Sequence, residues 1–271
     1  MLNLAHRLVL PGVLGIVLFA GLWYAADRTY MQLGNPKILT GWSLFGLMIF
    51  LALFNTRKKL AAFNLGRAKT WLALHVAGGV LAVAVFLFHT GTLWPLGAYE
   101  QFLTALFWLV SLTGILGLAI ITVYPRRLTD SGLEIIYERV PAEISEIRQL
   151  AEAEVIACTE EAGQPTLSDH YEETMDWYFR RPRFFINHLV GGVQAAAWIR
   201  SQGDAVRRYL SDKEAPYLDR LLALAERKAI VDKHYACQDV MRKWLVAHIP
   251  LSVALIGMSV WHLLLIHVYS Q

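Results

Sequence analysis

Two long stretches of this chain, Thr70 to Tyr99 and Trp244 to Gln271, contain no Asp, Glu, Lys or Arg. Each is long enough to cross the roughly 30 Å hydrocarbon core of a bilayer, and neither has the polar face of a surface helix. Acid is scarce more widely: of the 22 Asp and Glu, only Asp27 and Glu100 lie outside residues 125–241. Cysteine is scarcer still, and Cys158 and Cys237 form no CxxC pair, which excludes a zinc knuckle or an iron-sulfur motif. No GxGxxG follows a strand-like run, no Walker loop occurs and strand alternation is missing, so no nucleotide or flavin domain is implied. The formal charge of +3 averages two unlike parts and implies no nucleic-acid partner.

What is present is apolar. Over 271 residues, 56% are hydrophobic and only 17% charged, the balance of a membrane protein with few spans. Five spans are expected, at about 8–26, 38–56, 70–91, 101–124 and 242–271. The first is read as a retained span, because its apolar run is long and no clean A-x-A cleavage site follows. After the second comes a loop holding Arg57, Lys58, Lys59, Arg67 and Lys69 without a single acid, which places that loop in the cytoplasm. Counting from it, the N-terminus is cytoplasmic, the loop after the third span is outside, and the fourth span returns to Arg126 and Arg127. Spans three and five then run in parallel, and the C-terminus is outside.

Residues 125–241 read as an all-helical cytoplasmic insertion. One helix starts at Pro141 and stops near Gly163, and one or two further helices are interrupted near Pro182. A last helix passes through Arg242 and Lys243 directly into the final span. The fold class is therefore all-α: residues 1–124 and 242–271 form the membrane part, and 125–241 the insertion.

Histidine carries the chemistry. His75 and His89 are fourteen residues apart in the third span, and His248 and His262 are fourteen apart in the fifth. Fourteen residues return to within about 40° of the same helical face and climb about 21 Å. His75 lies six residues after Lys69 and His248 five after Lys243, so parallel spans bring His75 to the depth of His248 and His89 to that of His262. Four imidazoles buried in hydrocarbon without partners are costly. Two bis-imidazole sites, each holding a haem iron, employ all four. With no CxxCH in the chain, these would be two haem b. Metal transport would ordinarily require intramembrane carboxylates or thiols as well, and these spans have none.

Around these ligands, Arg67, Lys69, Arg242 and Lys243 are candidate partners of the inner haem propionates. Gly78, Gly79 and Gly257 lie between ligands, where a porphyrin face could approach the backbone, although helix packing explains them equally. His267 reads as interfacial; His6, His170, His188 and His234 receive no chemistry. Trp23, Trp42, Trp94, Trp108, Trp244 and Trp261 read as interface anchors. No residue is assigned a catalytic role.

At His75, His89, His248 and His262 the chain resembles the haem-bearing four-helix core of membrane cytochromes b, especially the b subunits of quinol:cytochrome c oxidoreductases. The resemblance covers the spans, a little over half the chain. It implies a b-type electron-transfer subunit of an oxidoreductase complex in a bacterial cytoplasmic membrane. Such a subunit would link a quinone pool or cytoplasmic donor to a periplasmic cytochrome c or iron-sulfur protein, alongside other subunits and membrane lipid. Five spans rather than eight, no PEWY motif and the helical insertion bring it nearer the simpler b-type anchors of bacterial respiratory complexes. The rival expectation is a non-redox membrane scaffold or transporter whose cytoplasmic helical domain is the working part.

Overall fold

The structure is a computed structural model, and it describes residues 2–56, 68–129, 132 and 134–269, with side chains omitted at 2–5, 55 and 56. Among the described residues there is no strand. Five helices of the described residues are long and apolar enough to cross a membrane: α1 (Leu2–Met31), α2 (Pro36–Thr56), α3 (Ala68–Thr90), α4 (Ala98–Thr129) and the distal part of α10 (Ala215–Tyr269). Leu10 of α1, Val80 of α3, Ile115 of α4 and Val246 of α10 are among many apolar side chains left exposed. So much contiguous apolar surface is untenable in water, and lipid is its natural contact.

The chain divides into two bodies. The first, residues 1–118 and 244–271, is the membrane part. Its core is Leu44 and Met48 of α2, Ala82, Val85 and Phe86 of α3, Phe107 of α4 and Leu255 of α10. α3 packs closely on α1 and α2 along much of its length, whereas its backbone approaches α10 much less closely. Small side chains allow the close pairing: Ala73 and Ala82 are buried on α3, and a Cβ on Gly78 would come within 2.9 Å of Leu51 Cδ2.

The second body is residues 119–243. α5 (Val140–Ala162) carries Pro141 in its first turn and ends at Gly163, whose left-handed φ of 70° few other residues adopt easily. Its buried positions Val140, Ile144, Ile147, Ala151, Val155 and Cys158 keep the three-and-four spacing of one helical stripe. The stretch expected to be one or two helices is more divided. α6 (Thr166–His170) passes through a π turn at Tyr171–Met175 into α7 (Asp176–Arg180), and α8 (Phe185–Val190) and α9 (Gln194–Arg207) follow. The π turn inserts a residue into the ladder and lets Tyr171, Met175, Tyr178 and Phe179 all reach the core.

That core also holds an ion pair. Lys228 Nζ lies 2.7 Å from Asp232 Oδ2, with both side chains fully buried, and donates a second bond to the carbonyl of Arg181 at 3.0 Å. The ammonium also sits 4.2 Å from the centroid of the Tyr178 ring, so its desolvation is compensated on several sides. Leu218, Leu221 and Ala225 of α10 belong to the same core. α10 itself runs unbroken from Ala215 to Tyr269, with Pro250 within it.

Candidate functional site

Four helices of the first body, α2, α3, α4 and α10, line two cavities that α1 does not line. The larger, about 410 Å³, is lined by His89 of α3 and His262 of α10. The second, about 250 Å³, is lined by His75 of α3 and His248 of α10. All four histidines singled out in the sequence are thus brought together in two pairs, each drawing one imidazole from each helix. The unbroken course of α3 and α10 between their histidines gives this arrangement, since fourteen residues return to nearly the same face. Met48, Phe107 and Leu255 line both cavities, so an apolar layer separates the pairs.

Hydroxyl groups from the other two helices hold two of the imidazoles. Thr40 Oγ1 of α2 is 3.0 Å from His89 Nδ1, and Thr113 Oγ1 of α4 is 2.8 Å from His248 Nδ1. Both threonines also bond to main-chain carbonyls one turn back, Thr40 to Pro36 at 3.1 Å and Thr113 to Leu109 at 2.9 Å. His75 differs, because its Nδ1 is buried without a hydrogen-bond partner.

Aromatic rings flank three of the four. Trp244 stacks on His248 with centroids 5.3 Å apart, and its Nε1 donates to the carbonyl of Thr113 at 2.8 Å. Tyr99 stacks on His262 at 5.9 Å while its hydroxyl donates to the carbonyl of Met258. Phe54 lies 4.8 Å from His75. The sequence marked Trp244 only as an interface anchor; its place one helical turn before His248 is the signal that could have identified it as a ring support.

The glycines divide by use. Gly79 and Gly114 line the His75/His248 cavity, Gly79 with nothing within 4 Å of an added Cβ. Gly41 lines the His89/His262 cavity, and a Cβ there would stand 3.1 Å from His89 Cε1. Gly78 serves packing on Leu51 instead, and Gly257 lies in open space.

Among the described residues, no charged side chain lines the His75/His248 cavity, whereas Lys37 and Glu100 line the other. Of the expected propionate partners, Arg67 lies outside the described residues. Lys69 is exposed in the first turn of α3. Arg242 and Lys243 bond to carboxylates of their own body: Arg242 to Glu138, and Lys243 to Asp239 at 2.8 Å. Lys37 was not anticipated, since it reads in sequence as an ordinary span-end cation. His267, expected at the interface, lines the His89/His262 cavity and meets the Trp42 ring edge-on at 5.7 Å.

Chemically, each cavity offers two imidazoles from separate helices and a largely apolar wall. Among the described residues no group of three or more His, Cys, Asp or Glu is placed to hold a metal ion by protein ligands alone. Two imidazoles fit a metal whose remaining coordination comes from an equatorial macrocycle, and the residues present therefore suit a bis-imidazole haem. Comparison with protein-family profiles, curated proteins and solved structures gives no match to this chain.

Proposed function

We propose that this chain is a di-haem b-type cytochrome subunit that carries electrons across a bacterial cytoplasmic membrane. The observation carrying this reading is the sorting of four imidazoles into two pairs, His75 with His248 and His89 with His262, each in its own largely apolar cavity. When bound, haem supplies reversible one-electron chemistry at its iron.

The chain's own residues do the rest. His75 and His248 would hold the haem of the inner site, and His89 and His262 that of the outer site. The rise of about 21 Å between histidines on one helix sets the spacing of the sites across the membrane. Met48, Phe107 and Leu255 keep water from the layer between them. Lys37, whose main-chain N–H donates to Asn35 Oδ1 at 3.0 Å, would offer a cation to a propionate in the His89/His262 cavity.

The charge pattern supports a cytoplasmic N-terminus, a cytoplasmic second body and a C-terminus outside. Electrons would then pass between a quinone pool or cytoplasmic donor and a periplasmic cytochrome c or iron-sulfur protein, within a complex of further subunits. The test is a reduced-minus-oxidised absorption spectrum of the purified chain, with pigment extraction by acid-acetone. Two extractable haems per chain and a b-type α band are expected. Absence of that band would leave the scaffold or transporter reading in its place.

A further inference from the structure

We infer that Thr40 and Thr113 are positioning residues, one for each site, that hold His89 and His248 in the Nδ1–H tautomer and so leave Nε2 of each free to bind iron. This inference rests on the di-haem reading and adds to it the residues that choose the ligating nitrogen.

A neutral imidazole carries one proton on either of two nitrogens, and only the bare nitrogen can bind a metal. A threonine hydroxyl likewise has one proton. In a helix that proton has a ready acceptor, the carbonyl three or four residues back, which can only accept. Thr40 has the carbonyls of Pro36 and Lys37 at 3.1 and 3.2 Å, and Thr113 those of Leu109 and Val110 at 2.9 Å each. With its proton directed there, each hydroxyl turns a lone pair toward the imidazole. The contacts of 3.0 Å to His89 Nδ1 and 2.8 Å to His248 Nδ1 then require that nitrogen to be the donor. The opposite tautomer would cost the back-bond and place the proton on Nε2.

The device is repeated on different elements. The outer site uses a hydroxyl of α2 on an imidazole of α3, and the inner site a hydroxyl of α4 on an imidazole of α10. In the inner pair the partner imidazole, His75, has no such bond at its buried Nδ1. Donation from Nδ1–H also raises the basicity of Nε2, which favours the ferric state and lowers the reduction potential.

The experiment compares Thr40→Val and Thr113→Val, which keep shape and remove the acceptor, with Thr40→Ser and Thr113→Ser, which keep it. Haem retention in detergent and the midpoint potential of each haem are read on the purified full chain. Thr40→Val should raise the potential of the outer haem and weaken its retention by about 10–100-fold, leaving the inner haem unchanged. Thr113→Val should do the reverse, and both Ser variants should behave as wild type. Two haems in the wild type with both potentials and retentions unmoved by Val would overturn the threonine role and leave the di-haem reading standing. No haem in the wild type would overturn both. If a Val variant loses both haems through misfolding, Ala replaces it; a Ser variant that shifts as far as Ala overturns the inference.

Discussion

Phe86 and Phe107 stack nearly face to face, their centroids 4.1 Å apart and their planes 11° from parallel, against the layer that divides the two imidazole pairs. Both rings are buried, at 5% and 4% exposure, and Trp108 meets each of them edge-on. The first prediction concerns this layer. Phe107→Ala should join the two cavities and cost stability at the low end of about 3–5 kcal/mol. The low end applies because lipid already solvates an apolar ring, leaving lost packing as the main term. Thermal unfolding in detergent measures it, and a change below about 0.5 kcal/mol would contradict a packed layer.

Ligand pairing gives a second prediction. His75→Ala and His248→Ala should abolish the same spectral and potentiometric component, and His89→Ala and His262→Ala the complementary one. If His75 and His262 variants lost a common haem, the parallel course of α3 and the end of α10 would be refuted.

Glycine substitutions probe the same sites without touching a ligand. Gly117→Ala would drive a Cβ to 2.0 Å from Trp244 Cζ2, displacing the ring stacked on His248 and disturbing the inner site. Gly41→Ala would press on His89 Cε1 and disturb the outer site alone. Gly46→Ala meets nothing within 4 Å and should leave both components at wild-type potential. Titration of the three variants side by side tests the assignment.

Topology can be read from fusions. A reporter that works only after export should be active when joined after Gln271 and silent when inserted near Gln164. The reverse pattern would exchange the inner and outer labels while leaving the pairs intact.

A last prediction concerns the second body. His188 is buried with no partner for Nε2, and burial together with the charges of Lys228 and Lys233 holds its imidazole down to about 4. In the unfolded chain the group titrates near its ordinary value of about 6.5. The unfolded state therefore binds the proton first as pH falls. Stability from this residue is complete above about pH 6.5 and is lost toward pH 4, by at most on the order of 3 kcal/mol. Hydrogen exchange of α8 in the full chain should quicken over that window, and His188→Leu should abolish the dependence.

Much of the architecture was legible because membrane physics leaves few options. Uncharged runs of span length must be helices, and the described residues hold five helices long and apolar enough to span. The histidine pairs were legible because a fourteen-residue spacing fixes both face and depth. Thr40 and Thr113 were not, since a hydroxyl in an apolar helix usually satisfies itself on its own backbone and gives no sign of a second role. The division of residues 166–207 into short helices was equally hidden. There the polar and apolar residues alternate too irregularly for any single period, and the π turn at Tyr171–Met175 shifts the phase midway.

Both cavities take their second imidazole from α10, and α10 begins only at Ala215. During synthesis, His75 and His89 are therefore made long before any partner exists. At ~5–20 residues per second, His262 follows His89 by roughly ten to thirty-five seconds, after the whole second body has been synthesised. The emerging first four spans can form only an open groove with two unmatched imidazoles. Entry of the final helix closes both sites in one event, so a ribosome that stalls within the second body leaves a product with neither imidazole pair.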